Sequence, residues 1–364
     1  MVLRPLSLRQ GGIVALNLFV WGNPFTSRIA LVSFIKKLTI KIMPIKTGLK
    51  TAEFVSPKHP DKLCDLIADS LLDAYLAGDP ASRVAAEVMG GHGHITISGE
   101  VTSAAQVDVE AIVHGIVGSS YAVHAYLTRQ SPEIGRGVDT GGAGDQGIMI
   151  GYATRETPSF LPLEYVLARE LCQKIYAVYP YDGKTQVTVD GDRVTCVVAS
   201  FQNAPSAALE ALVRSSIAAD EYLINPAGEW SLGGFDADSG ISGRKIIIDN
   251  YGPEIGVGGG SFSGKDYTKV DRSGAYVARR IAVDYLARFS SARAVRVKLA
   301  YAIGKPEPVM AVAEVDEGDG GVRVVPISGY DLTPRGIATL LKFDSVRWAN
   351  TAAWGHFGRE FSWG

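Results

Sequence analysis

From Ala52 onward the chain alternates between period-two apolar runs, which suit half-buried strands, and period-3.6 runs, which suit helices. That alternation limits the fold more than any single residue does. Pro60 to Ala77 sets Leu63, Ile67, Leu71 and Ala74 on one helical face, so an amphipathic helix is predicted to open at His59-Pro60-Asp61. Arg83 to Val88 and His94 to Thr102 read as two strands joined by a turn from Met89 to Gly93. Further helices are predicted over 107–117, 162–178, 206–217, 273–287 and 334–343. Further strands are predicted over 184–190, 193–201, 245–249, 292–302 and 309–315. Each third thus holds strands with one or two helices, which is an α+β pattern. The letters alone show no repeat between the thirds.

Residues 1–50 stand apart, with eight Lys or Arg and no Asp or Glu. Their apolar run Ile13 to Trp21 is too short to span a bilayer. Arg4 and Arg9 ahead of it suit a targeting segment, but no small-residue cleavage site follows. The expectation is an extension without a structural role, with Met43 as the working start. The remaining body carries 28 basic against 38 acidic residues, which argues against a general nucleic-acid binder. Cys64, Cys172 and Cys196 are odd in number and show no CxxC spacing, so neither a disulfide framework nor a thiolate zinc site is supported. A reducing compartment, the cytoplasm, is the expectation.

Positive charge in the body is local. Gly258-Gly259-Gly260-Ser261-Phe262-Ser263-Gly264-Lys265-Asp266 nearly makes a phosphate-cradling Walker loop, but Asp266 stands where the magnesium-binding hydroxyl should be. Glycines still admit backbone N–H groups to phosphate oxygens, and Lys265 and Lys269 supply charge, so a polyphosphate is the expected ligand. The metal would then fall to carboxylates, with Asp271 at the start of a helix the nearest. His59 also sits at a helix start, where an ordinary capped helix is an equally good reading. Glu100 lies on the polar face of its strand, with His94, Thr96 and Ser98, and Glu87 on the partner strand can join it. His92 and His94 lack a third ligand nearby and are set aside as a metal pair. The glycine-rich run from Arg136 to Gly147 suits a linker or a lid equally. No GxSxG elbow occurs, so a serine hydrolase has no support.

Taken in order, six motifs closely resemble the S-adenosylmethionine synthetases: HPDK (59–62), GAGDQG (142–147), SGRK (242–245), GGGSFSGKD (258–266), KVDRS (269–273) and GHFGRE (355–360). The resemblance covers about Ala52 to Glu360. It implies three domains of similar βαβ-type topology related by pseudo-threefold symmetry, here 51–137, 138–232 and 233–364 after the extension 1–50. It also implies a homodimer or homotetramer with active sites at the subunit interface, no membrane and no nucleic acid. The implied reaction joins ATP and L-methionine, and the tripolyphosphate is then hydrolysed to pyrophosphate and phosphate. By the matching motifs, His59, Arg244, Lys265 and Lys269 carry catalysis. ATP would be surrounded by His59, Asp182, Lys184, Trp230, Asp238, Arg244, Lys245, Ser261 and Lys265. Methionine would face Glu100, Gln130, Asp238 and Lys269. Asp61 and Asp271 would hold Mg2+, and Glu87 would hold K+. Gln130 to Asp139 resembles the family's mobile loop. The chain departs from common family residues at Lys58, Val257 and Glu229-Trp230, and it is short between Ser119 and Gln130.

These residue types suit the chemistry. A thioether is a neutral nucleophile with no proton to remove, so its attack needs alignment and a stabilised leaving group rather than a base. Two other readings are a catalytically silent regulatory subunit and a kinase built on the glycine triplet. The retained Lys265, Lys269, Asp61 and Asp271 disfavour the first, and the missing Walker hydroxyl disfavours the second.

Overall fold

A computed structural model describes residues 48–318 and 321–364, so the expected extension over residues 1–50 lies almost wholly outside the described residues. In chain order the first stretch runs β1 (Leu49–Val55), α1 (Pro60–Gly78), β2 (Arg83–Gly91), β3 (His94–Thr102), α2 (Val109–Val117), β4 (Ala122–Thr128) and α3 (Pro132–Asp139). It continues with β5 (Gly147–Thr154), α4 (Leu163–Val178), β6 (Gly183–Asp190), β7 (Arg193–Phe201), α5 (Ser206–Ser216) and β8 (Glu221–Ile224). The last stretch holds β9 (Gly240–Ile241), α6 (Ile246–Asp249), α7 (Val270–Arg288), β10 (Ala294–Tyr301), β11 (Met310–Asp316), β12 (Val322–Pro326) and α8 (Pro334–Leu340).

The strands form three four-stranded sheets, ordered β1-β6-β7-β8, β12-β11-β10-β5 and β4-β3-β2-β9. Each sheet takes one edge strand from elsewhere in the chain. β1 pairs with β6, β5 with β10, and β9 with β2, all antiparallel. The three sheets are thereby laced together, and each covers one face with a long helix: α1 lies on β2, α4 on β1 and β6, and α7 on β5 and β10. Buried apolar residues of these helices, such as Ile67, Leu71, Ile175 and Ile281, build the core against the inward strand residues. Among the described residues no helix is long and apolar enough to cross a membrane.

Local chemistry explains the element ends. Pro60 opens α1 at a position where its missing N–H costs nothing, and His59 caps the helix by accepting the Asp61 N–H. The β2–β3 turn is tighter than the predicted five residues, because Gly91 pairs with His94 and only His92 and Gly93 remain between the strands. Both have positive φ, 52° and 81°, the geometry that two-residue hairpins require. The predicted strand over 245–249 is instead the single helical turn α6. Its Ile-rich run reads the same in either state, and the Asp249 N–H donates to the Lys245 carbonyl at 2.7 Å while the Asp249 carboxylate is held by buried Lys62. The glycine-rich run begins as helix α3 and ends at β5, so it is only in part a loop.

Candidate active site

The edge of β2 that does not face β3 organises the site. Near one end Gly240 and Ile241 pair with Gly90 and Met89, and the Ser242 N–H donates to the Val88 carbonyl at 2.8 Å. Toward the other end Lys265 bridges Ala85, the Asp266 N–H reaches the Val84 carbonyl at 3.2 Å, and the Val84 N–H returns to Asp266 Oδ1 at 2.7 Å. The loop bearing Arg244 and Lys245 and the loop bearing Lys265 therefore leave the same strand edge a few residues apart. Gly264 makes this approach possible: its φ is +80°, and a Cβ there would lie 2.1 Å from the Ala86 carbonyl oxygen.

Glu87 stands between the two loops. Ser242 Oγ donates to its Oε2 at 2.6 Å and Ser261 Oγ to its Oε1 at 3.2 Å, so the carboxylate ties the loops together. The strand register places Glu87 opposite Ser98 and Ala85 opposite Glu100, so both carboxylates share one face, as the alternation predicted. Ala85 also bridges Lys265, which puts Glu100 one strand away from that lysine. Gln130 lies beyond this row. It lines a cavity of about 1180 Å³ with Arg83, Arg129, Arg136 and Asp139.

Each of the two carboxylates proposed for Mg2+ holds a lysine. Lys245 Nζ lies 2.5 Å from Asp61 Oδ2, Asp61 Oδ1 accepts the Ile241 N–H at 2.9 Å, and Arg244 approaches Oδ1 to 3.9 Å. Burial alone would raise the Asp61 pKa, but the Lys245 bond, the Ile241 amide and the nearby charges outweigh it and hold it below the usual carboxylate value. At the other loop Lys265 Nζ bonds Asp271 Oδ2 at 2.8 Å, in the first turn of α7. Lys269 bonds Asp266 at 2.6 Å. The cations that the glycine-flanked stretch was expected to offer to phosphate are thus paired within the chain. Asp266, in the position of the Walker hydroxyl, is a loop organiser: besides Lys269 and Val84 it accepts from the Thr268 N–H at 3.0 Å and hydroxyl at 2.7 Å.

His59 closes the Asp61 end. Burial, then Lys245 and Lys184, push its pKa down to about 3, so the ring is neutral at physiological pH. Its Nδ1 accepts the Asp61 N–H at 3.2 Å, which leaves the proton on Nε2. The ring is a neutral donor rather than a charge. Asp182, Lys184 and Asp238 stand within electrostatic range of this corner. Asp182 accepts the Gly234 N–H at 3.0 Å, and burial raises its pKa. Trp230 is anchored by its indole N–H to Ser200 Oγ at 3.0 Å.

Among the described residues no three His, Cys, Asp or Glu side chains gather to hold a metal alone. The donor set nevertheless fits a hard divalent cation, because Mg2+ is usually bound by one or two carboxylates and completes its shell with water and substrate phosphates. Each of the two carboxylates already holds an ammonium group. Sequence reasoning missed the organising acids Asp65, Asp69 and Asp266. The α1 acids were visible as a fourfold spacing, Asp61, Asp65, Asp69 and Asp73, and that signal was there to be read.

Three laced sheets carrying two lysine–carboxylate loops on one strand edge define an α+β protein. Family models described as the N-terminal, central and C-terminal domains of S-adenosylmethionine synthetase match residues 47–131, 140–230 and 232–364. The chain belongs to the S-adenosylmethionine synthetase family. It is 41% identical to S-adenosylmethionine synthase 1 of Frankia casuarinae, over 86% of this chain and 95% of that protein. It is 40% identical to the S-adenosylmethionine synthases of Nocardia farcinica, over 85% and 93% of the two chains, and of Thermus thermophilus, over 86% and 95%.

Proposed function

We propose that the chain is a methionine adenosyltransferase, forming S-adenosylmethionine from ATP and L-methionine and then hydrolysing the tripolyphosphate to pyrophosphate and phosphate. The observation that carries this reading is the pair of lysine–carboxylate contacts, Lys245 with Asp61 and Lys265 with Asp271, on loops joined by Glu87. Family membership across all three domains supports it as well. Nothing favours the regulatory subunit or the kinase.

A sulfur lone pair forms the S–C5′ bond as the C5′–O5′ bond breaks, and the electron pair leaves with the tripolyphosphate. No proton moves in that step. The protein's tasks are to align the sulfur with C5′ and to stabilise the departing charge. Lys245 and Lys265 would turn from their carboxylates to the phosphates, with Arg244 beside them. His59 would donate its Nε2–H to a phosphate oxygen. Asp182, Lys184, Trp230, Asp238 and Ser261 complete the ATP side in this reading. Glu100 and Asp238 favour the positive sulfonium, with Gln130 and Lys269 at methionine.

Mg2+ held by Asp61 and Asp271 would neutralise phosphate charge, and K+ at Glu87 would complete the set. Each lysine that left its carboxylate would free an oxygen for such an ion. The three domains, 51–137, 138–232 and 233–364 in this reading, are related by an approximate threefold axis. The recurring order of an edge strand, a long helix and a hairpin supports that relation. A homodimer or homotetramer with its site at the subunit interface is supported by exposed Met89 and Tyr126, which share the open face with Glu87 and Glu100. Three unpaired cysteines suit the cytoplasm.

One assay tests the reading. Purified protein with ATP, methionine, Mg2+ and K+ is expected to yield S-adenosylmethionine, pyrophosphate and phosphate. Formation of ADP, or binding without turnover, would overturn it.

A further inference from the structure

Helix α1 carries a carboxylate at every fourth position, Asp61, Asp65, Asp69 and Asp73, so four like charges line one face. On an exposed helix such a row repels itself. Here Asp61, Asp65 and Asp69 are buried, and each of the four accepts backbone N–H groups from a distant segment. Asp61 takes Ile241 at 2.9 Å, Asp65 takes Gly243 at 2.9 Å, and Asp69 takes Gly264 at 2.9 Å. Asp73 takes Trp348 at 2.7 Å and Ala349 at 2.9 Å. Interleaved cations offset the repulsion: Lys245 at Asp61, Lys62 at Asp65 and Arg272 at Asp69. The first three rungs, about 6 Å apart along the helix axis, grip the two cation-bearing loops. The fourth grips only the C-terminal turn.

The third rung is the most complete. Arg272 meets Asp69 with both arms of its guanidinium, at 2.7 and 3.0 Å, and both side chains are buried. The arm bonded to Asp69 Oδ1 also donates to the Lys265 carbonyl at 3.2 Å, while the same Oδ1 accepts the Gly264 N–H. Tyr276 and Thr351 take the remaining donors at 3.2 and 2.8 Å, and the guanidinium lies 4.2 Å over the Trp348 ring. Lys265 is therefore approached from two sides by consecutive residues of α7. Asp271 holds its ammonium and Arg272 holds its carbonyl.

We propose that Asp69 and Arg272 are positioning residues for Lys265, a buried clamp on the Gly264–Lys265 segment that sets where the lysine ammonium stands over the phosphates. The proposal rests on the reading of Lys265 as a phosphate ligand. A planar fork is needed because one side chain must satisfy a carboxylate and a carbonyl at fixed angles, which an ammonium on a flexible stem does not do. The clamp touches neither substrate. Its effect on the reaction passes through the backbone of the loop.

The test compares Arg272→Lys with Asp73→Asn in the full chain. Arg272→Lys keeps a buried cation opposite Asp69 but loses the fork, and Asp73→Asn perturbs the rung that grips no phosphate loop. Arg272→Lys is expected to lower kcat per folded molecule by about 10²-fold, the scale of a misplaced group. KM for methionine should stay within about twofold, since the methionine side is untouched. Hydrolysis of added tripolyphosphate should fall in parallel. Asp73→Asn is expected to lower the melting temperature while leaving kcat per folded molecule unchanged. If Arg272→Lys does not fold, Asp69→Asn, which keeps the shape of the side chain, is read by the same ratio. Wild-type kcat per folded molecule in the clamp variant, or equal losses in clamp and control, overturns the proposal. A wild-type protein that makes no S-adenosylmethionine overturns the functional reading instead.

Discussion

The Lys265 ammonium rests 2.8 Å from the Asp271 carboxylate, six residues further along the chain. Lys245 and Asp61 form the same kind of pair across 184 residues. Without each other, this cation and this acid would stand unpaired in a partly buried place. Pairing them lets the free protein keep both without a large desolvation cost. In the proposed reaction, substrate binding would be an exchange of partners.

Asp271→Asn should leave the fold intact and lower S-adenosylmethionine formation by at least about 10²-fold, the scale of losing one electrostatic stabiliser. The amide still accepts from Lys265 but supplies no negative charge to a cation. Product formation and melting temperature measured together check this, and wild-type rates would remove Asp271 from the metal role.

Lys265→Met keeps the stem and deletes the charge. The expected loss in kcat is about 10²- to 10³-fold, with tripolyphosphate hydrolysis falling in step and methionine KM little changed. Steady-state kinetics with each substrate varied in turn decides it. A loss confined to KM for methionine would place the lysine elsewhere.

His59 should remain neutral down to about pH 4 in the free protein, because burial and the neighbouring lysines hold its pKa near 3. The folded value lies below the unfolded one, so the unfolded chain takes up the proton first on acidification. The stability this neutral ring contributes is present above about pH 6.5 and is lost as the pH falls toward 3. Nitrogen NMR of the imidazole, with Nε2 protonated throughout, measures it. Titration near pH 6.5 would show a solvated ring.

Lys62→Met leaves Asp65 and Asp249 buried without their shared cation and should cost about 3–5 kcal/mol. Burial and Asp65 already raise the Asp249 pKa to about 6 despite Lys62. Losing the lysine raises it further, so folding favours the protonated acid and the deficit grows as the pH rises. Denaturation at pH 5 and pH 8 should show the larger loss at pH 8.

Much of this protein was legible in its letters. Period-3.6 patterning located α1 and α4, and the Arg193–Phe201 strand appears with the bounds its alternation predicts. Those elements bury one face, and burial writes itself into the sequence as a period. Edge strands β1, β5 and β9 were not legible, because each pairs with a segment far along the chain, and a strand of two residues such as Gly240–Ile241 has no period at all. The motifs put forward the residues of the candidate site, His59, Asp61, Lys265 and Asp271 among them, and the structure places these near one strand edge.

What the sequence alone determined is the set of candidate residues and the kind of the long elements, since both depend on neighbours along the chain. Only the tertiary structure decided that the two cation loops leave one edge of β2, that Glu87 ties them, that His59 is neutral, and that the α1 carboxylates grip the loops by their amides. Each of those is a contact between groups some 150 to 200 residues apart, or a solvation effect of burying them, and local patterning carries no record of either.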